Sequence, residues 1–226
     1  METKMRQYLG QILLMTVLCG CSLVKKIAVR TTADVIAGGS NEVLTEGNYH
    51  YFKQSMPGNL KMLEGLWFSD QENTTLLNLL IKGHGAYAFT VHETEALEEL
   101  LLEEDNSFNK TQAIWHYEKA VYYGMKLLEV RGISASEFHK KDFSLKLKKQ
   151  FSNDMSSDDL VGVFYLAQSL GSSINLQRTN VSKMAKLNHV REMLAWVCSE
   201  NPQIENGNCG LFQSVIEAST PSVLGG

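Results

Sequence analysis

Apolar side chains recur along the chain at the three- and four-residue spacing of an α-helix, and the alternation typical of strands is weak. Four long stripes carry this helical pattern. Their members are Leu76, Leu77, Leu80, Ile81, His84, Tyr87, Ala88 and Val91; Ala113, Tyr117, Ala120, Val121, Gly124, Leu127 and Leu128; Leu160, Val163, Phe164, Ala167, Gly171 and Ile174; and Met184, Leu187, Arg191, Leu194 and Cys198. A helix with such a stripe buries that face against another helix. The pattern therefore predicts an all-α fold.

Short polar breaks separate the apolar stripes and predict about seven helices. The breaks fall near residues 69–73, 105–109, 132–134, 153–157, 179–180 and 200–208. Ser134 stands three residues before Glu137, and Ser156 or Ser157 precedes Asp158 and Asp159, which is the spacing of helix N-terminal caps. Breaks of this length place consecutive helices side by side as antiparallel hairpins.

Five glycines lie inside the helical patterns, where each costs about 1 kcal/mol relative to alanine. They are Gly83, Gly85, Gly124, Gly162 and Gly171. Close approach of packed helices is the usual compensation. Antiparallel hairpins with small residues, aromatics and an Asn-Pro turn resemble tetratricopeptide repeats, whose period is about 34 residues. No clean register exists at that period, so the predicted repeats are degenerate. The only prolines, Pro57, Pro202 and Pro221, leave long stretches in which helices can run without interruption.

The N-terminus has the pattern of an export signal. Lys4 and Arg6 precede an apolar run from Tyr8 to Leu18, which is too short to cross a membrane. The sequence Leu18-Cys19-Gly20-Cys21 then resembles the bacterial lipobox, which implies cleavage before Cys21 and acylation of that cysteine. The alternative is an ordinary secretory leader with two incidental cysteines. We thus expect a signal peptide over 1–20, a lipidated N-terminus and short tether over 21–40, and a helical domain over 41–226.

Lipidation predicts attachment to a membrane without a spanning helix, because buried acyl methylenes supply the binding energy. Ser22 follows the modified cysteine in place of the aspartate that marks inner-membrane retention in enterobacterial lipoproteins. We therefore expect a lipid anchor that faces the periplasm, with the outer membrane favoured over the inner membrane.

Two further cysteines, Cys198 and Cys209, flank the turn at Asn201-Pro202. In an oxidising compartment they are candidates for a disulfide, provided that the flanking helices are antiparallel. The alternative is that both are buried free thiols, which behave as small apolar side chains. The sequence leaves both open.

Catalytic and metal-binding patterns are missing from the sequence. A formal net charge of −4 gives no electrostatic reason to expect nucleic acid as a partner. The chain contains no His-Glu-x-x-His pair and no Gly-x-Ser-x-Gly elbow. His84 lies on an apolar stripe and is predicted to be a hydrogen-bonded core histidine. We expect no enzymatic activity, no cofactor and no metal.

The aromatic residues suggest binding, because in several helices they fall on more than one face. The candidates for the lining of a ligand site or channel are Trp67, Trp115, Tyr122, Tyr123, Phe164 and Tyr165. Packing between helices is the competing interpretation, since aromatic stripes are usually core. A second aromatic face on a concave helical surface would suit an apolar ligand.

Several segments resemble the TRAP transporter T-component family of periplasmic, tetratricopeptide-like lipoproteins. The similar segments are Thr32-Ala33-Asp34, Gly39-Ser40, 56–66 (Met-Pro-Gly-Asn-Leu-Lys-Met-Leu-Glu-Gly-Leu), Leu76-Leu77, Gly85-Ala86-Tyr87-Ala88-Phe89, 122–129, 163–167, and Asn201-Pro202 through 220–226. They occur in order over nearly the whole chain after the leader, and this collinearity rather than any one segment carries the resemblance.

The resemblance implies an accessory role in a tripartite ATP-independent periplasmic uptake system. It implies self-association as a trimer, binding to the transporter's periplasmic solute-binding protein, and hand-over of a small apolar or organic-acid ligand. It supplies no catalytic residues, and the functional position that it implies in this sequence is the lipidated cysteine, Cys21.

In one respect the sequence departs from the family pattern. Family members continue past a Leu-Gly-Gly like Leu224-Gly225-Gly226, so the chain is expected to be a C-terminally shortened form. A different class of function stays open, namely a structural helical-repeat lipoprotein that scaffolds an envelope assembly.

Overall fold

Every described segment of the computed structural model is helix or the turn beside one. The structure describes residues 2–102, 107–140, 142–151 and 156–219, and within these ranges the side chains of all but residues 2–22, 100 and 216–219. No strand occurs in those ranges, which confirms the all-α prediction. The helices are α1 (Glu2–Leu44), α2 (Tyr49–Ser69), α3 (Thr74–Tyr87), α4 (Thr94–Leu101), α5 (Phe108–Val130), α6 (Ala135–Phe138), α7 (Phe143–Phe151), α8 (Ser157–Leu176), α9 (Val181–Met184), α10 (Leu187–Glu200) and α11 (Ile204–Ser219), with a π-helix, π1 (Ala88–Glu93), between α3 and α4.

Helix starts follow the capping signals in the sequence. The Ser134 backbone N–H donates to the Glu137 carboxylate at 2.9 Å, and Ser156 and Asp159 form the reciprocal capping box at the start of α8. Predicted breaks at 69–73, 132–134, 179–180 and 200–208 coincide with helix ends. The breaks at 105–109 and 153–157 lie partly outside the described residues, and α5 and α8 begin within them. Three of the predicted helices are divided: residues 74–101 contain α3, π1 and α4, residues 135–151 contain α6 and α7, and residues 181–200 contain α9 and α10.

The core forms where α3, α5 and α8 pack together. His84, near the end of α3, contacts His116 near the start of α5, while Asn78 and Leu127 both flank Gly162 of α8. These contacts make α3 and α5 antiparallel. The apolar stripes of the three helices supply much of one buried cluster, together with side chains of α2, α7 and α10.

One of the prolines lies in the interior of a helix. Pro57 lies inside α2, which runs through it. A proline has no N–H for the carbonyl four residues earlier, which here belongs to Lys53. The Tyr87 hydroxyl donates to that carbonyl at 3.3 Å, so α3 satisfies the group that the proline leaves unpaired.

Helix α1 includes the whole segment predicted as a tether, residues 21–40. Val29 and Ala33 are buried in the main core, and the Arg30 side chain donates to the buried Asp70 carboxylate at 2.9 Å. These contacts hold the C-terminal half of α1 on the turn between α2 and α3. No helix in the described part of the chain is both long and apolar enough to cross a membrane.

A disulfide between Cys198 and Cys209 joins α10 to α11, with the two Cα atoms 5.8 Å apart. Inside the loop that it closes, Glu205 and Asn206 adopt positive φ angles of 46° and 62°. Such backbone costs free energy for residues other than glycine. Hydrogen bonds to the Glu205 carboxylate from the Tyr165 hydroxyl at 2.7 Å and from Lys82 Nζ at 3.2 Å offset this cost.

Candidate functional site

An open cleft of about 450 Å³ lies between the end of α2 and the middle of α5. Its lining residues are Trp67, Trp115, Glu118, Lys119, Tyr122 and Tyr123. All except Trp67 come from α5, at the spacing of one helix face. This face adjoins the α5 stripe that enters the core, and Tyr123 belongs to both the core cluster and the cleft lining. Helix α5 therefore packs into the core with one face and lines the cleft with the neighbouring face.

Two rings of the cleft are fixed in place and two are accessible. Trp67 and Tyr123 are buried and meet edge to face with ring centroids 5.3 Å apart, and the Trp67 indole N–H donates to the Gln71 carbonyl at 3.1 Å. Trp115 and Tyr122 keep 44% and 47% of their surface exposed. The buried pair forms a floor, while the exposed pair leaves ring surface open to a ligand. An ammonium group lies over each exposed ring, Lys119 Nζ at 5.4 Å from the Trp115 centroid and Lys126 Nζ at 5.9 Å from that of Tyr122.

Below the two buried rings, the Glu64 carboxylate of α2 accepts hydrogen bonds from three side chains. Its Oε1 accepts from the Tyr123 hydroxyl at 3.0 Å and from Lys119 Nζ at 3.2 Å, and its Oε2 accepts from Lys61 Nζ at 2.7 Å. Burial alone would raise the pKa of Glu64, but these hydrogen bonds outweigh burial and lower that pKa to about 2. The carboxylate is therefore ionised and shared between two ammonium groups.

A stack of imidazoles extends from the cleft floor into the core. The His84 ring stacks on Tyr123 with centroids 5.7 Å apart, and its Nδ1 lies 2.9 Å from His116 Nδ1, so one ring donates and the other accepts. His84 Nε2 lies 3.4 Å from Glu64 Oε1. Burial lowers the pKa of His84 to about 4 and that of His116 to about 3, so both rings are neutral near pH 7.

The π-helix π1 brings a third imidazole to this stack. His92 is buried, its ring lies parallel to that of His116 at 5.3 Å, and its Nδ1 donates to Asn109 Oδ1 at 2.9 Å. Single turns of π-helix are frequent at functional sites, because they re-aim side chains within an otherwise regular helix. Here π1 ties α3 to the start of α5, behind the cleft.

Four of the six aromatic residues predicted to line a ligand site meet at this cleft, namely Trp67, Trp115, Tyr122 and Tyr123. The structure does not place Phe164 and Tyr165 there. Phe164 is buried in the core, with its ring centroid 5.4 Å from that of Phe212, and the Tyr165 hydroxyl bonds to Glu205. Both residues lie on α8 and contact α11, whereas the cleft is lined by α2 and α5.

Comparison with known families decides what the molecule is. A model of the TRAP transporter T-component family matches residues 48–226, which include all of α2 to α11 and therefore the whole cleft. The chain belongs to the TRAP transporter T-component family. No curated protein and no solved structure matches the chain. Membership makes the protein an accessory component of a TRAP transporter, and the family is not one of enzymes.

In this T-component, sequence reasoning missed the charged residues of the cleft. Glu118 and Lys119 lie one helical turn from Trp115 and Tyr122, so the face they share was visible as a spacing in the sequence. Glu64 was not visible in this way, because it reaches the site from another helix. The prediction that His84 is a hydrogen-bonded core histidine is confirmed, although its partner, His116, was not foreseen.

The predicted lipid-attachment residue, Cys21, belongs to the part of α1 whose side chains lie outside the described residues. Among the described side chains, no group of three or more His, Cys, Asp or Glu residues is arranged to hold a metal ion. The rings of His84, His92 and His116 pack against one another, with His116 between the other two.

Proposed function

We propose that this T-component is a periplasm-facing lipoprotein that binds the solute-binding protein of a TRAP transporter and holds a small apolar or organic-acid ligand in the α5 cleft. The match of residues 48–226 to the family carries the first part of this proposal. The aromatic cleft supports the second part, because exposed ring faces beside a fixed ammonium group suit a ligand with an apolar body and a polar end.

Co-purification tests the partnership. The full-length chain, extracted from membranes in detergent, is immobilised and offered the solute-binding protein encoded beside the same TRAP transporter. We expect retention of that protein, and no retention of a periplasmic binding protein from an unrelated ABC transporter. Failure to retain the solute-binding protein of any TRAP system encoded by the same genome would refute the partnership.

We propose that a lipid on Cys21 anchors the protein to a membrane, with the outer membrane favoured. The neighbouring cysteine, Cys19, provides a control for the test of this proposal. Replacing the acylated cysteine removes the thiol that carries the lipid, so Cys21→Ser is expected to abolish incorporation of labelled palmitate and to leave the leader uncleaved. Cys19→Ser changes the neighbouring cysteine and should leave labelling intact. Gel mobility and autoradiography of cells grown with labelled palmitate measure both, and labelled Cys21→Ser protein would contradict the proposal.

Self-association as a trimer is part of the same proposal. Its support is a series of exposed large apolar side chains on successive elements, from π1 through α4 to the start of α5. They are Phe89, Leu97, Leu101, Leu102 and Phe108. Exposed apolar surface of this kind is typical of protein-protein contact sites.

A further inference from the structure

The ion pairs around the cleft contain four lysines and three carboxylates. Lys126 pairs with Glu129 at 2.7 Å, and Lys183 pairs with Glu118 at 2.5 Å. The remaining carboxylate, Glu64, serves two ammonium groups, those of Lys61 and Lys119. Near pH 7 the ion pairs around the cleft therefore leave one positive charge that no carboxylate of the set balances.

Lys119 brings this charge to the ligand-accessible rings. Its Nζ lies 5.4 Å from the centroid of the Trp115 ring and 5.8 Å from that of Tyr123. An ammonium group has three N–H donors, and the hydrogen bond to Glu64 uses one of them. A carboxylate can therefore accept a hydrogen bond from Lys119 while the body of the ligand lies against Trp115 or Tyr122.

From this arrangement we propose that the cleft selects flat aromatic carboxylates, a conclusion that rests on the proposed ligand-binding function. The excess charge favours a monoanion over a neutral or cationic ligand. The exposed ring surfaces of Trp115 and Tyr122 favour a planar ring over a saturated one, because ring pairs gain free energy beyond the area that they bury. A cleft of about 450 Å³ has room for a fused two-ring body.

Three probes of similar size separate charge from planarity. Calorimetric titration of the purified full-length protein compares 2-naphthoate with 2-naphthamide, which is flat but neutral, and with decahydronaphthalene-2-carboxylate, which is charged but not flat. We expect 2-naphthoate to bind about tenfold or more tightly than the amide, the effect of one charged hydrogen bond. The saturated acid should bind severalfold more weakly than 2-naphthoate.

Substitutions of two lysines on α5 test whether Lys119 supplies the positive charge that binds the carboxylate. Lys119→Met keeps the apolar stem and should weaken 2-naphthoate binding about tenfold, while 2-naphthamide binding stays within about twofold. Lys119→Arg should retain most of the affinity for 2-naphthoate. Lys110→Met is the matched control, because Lys110 is exposed in the first turn of the same helix, away from the cleft. If Lys119→Met does not fold, the wild-type affinities at rising salt replace it, and only 2-naphthoate binding should weaken.

Equal affinity for the acid and the amide, equal affinity for the flat and the saturated acid, or no heat from 2-naphthoate at millimolar concentration would overturn the inference. Retention of the solute-binding protein is measured without any of these probes. A failure of aromatic selectivity is therefore distinguishable from a failure of the proposed partnership.

Discussion

Acidification from about pH 7.5 to about pH 5 is expected to lower the free energy of unfolding by up to about 4 kcal/mol, a large part of a typical margin of about 5–15 kcal/mol. The cause is the buried pair His84 and His116. Their pKa values, about 4 and about 3, lie below the ordinary value of 6.5 because burial disfavours the charged rings. In the unfolded chain both rings bind protons as the pH falls below 6.5, whereas in the folded protein they stay neutral.

The direction and the window of this effect follow from those pKa values. Stability is complete above about pH 6.5 and falls as the pH drops toward 4, by about 1.4 kcal/mol per pH unit for each histidine. Once both rings are protonated, both Nδ1 atoms carry hydrogen and the bond between them is lost. Glu64 acts in a separate window, because its lowered pKa of about 2 means that its contribution is lost only below about pH 4.5.

Urea unfolding followed by circular dichroism at the two pH values measures the effect. His116→Asn removes one of the two titrating groups and should reduce the pH-dependent loss of stability by about half. The control is His50→Gln on the exposed surface of α2, which should keep the full dependence. Equal free energies of unfolding at both pH values would show that the two rings are not held neutral.

The helical framework could be predicted from the sequence because its signals are local. A stripe such as Leu160 to Ile174 needs only its own spacing, and the Ser156 cap needs only Asp159 three residues later. The α5 cleft could be predicted only in part, because local spacing indicates some of its residues and tertiary contacts determine the others. Trp115, Tyr122 and Tyr123 were recognised as aromatics beyond the core stripe, but the partner across the cleft, Trp67, lies more than forty residues away.

The features that escaped prediction depend on contacts between distant residues. Glu64 meets Tyr123 and Lys119 only because α2 packs beside α5, and no spacing within α2 indicates those partners. No local signal shows that α2 continues through Pro57, where α3 supplies the missing hydrogen-bond partner through Tyr87. Likewise, π1 continues the apolar stripe of α3 and cannot be distinguished from an α-helix by composition.

Gly124→Ala is expected to destabilise the protein by about 1–3 kcal/mol, although alanine is the better helix former by about 1 kcal/mol. A β-carbon at this position of α5 would lie 2.9 Å from both Cβ and Cγ of the buried Leu166 on α8. The Cβ of Leu166 is fixed to its backbone and cannot rotate away. The two helices must therefore separate in the middle of the core.

Two variants determine whether close approach is the reason. Gly65→Ala, at an exposed position of α2 where a β-carbon meets nothing within 4 Å, should stabilise the protein by up to about 1 kcal/mol. In a double-mutant cycle, the cost of Gly124→Ala should shrink when Leu166→Ala has already made room. Urea unfolding at neutral pH measures the free-energy changes of all these variants. An unchanged cost in the Leu166→Ala background would place the strain elsewhere, whereas a reduced cost would show that Gly124 sets the distance between α5 and α8, and with it the position of the cleft face.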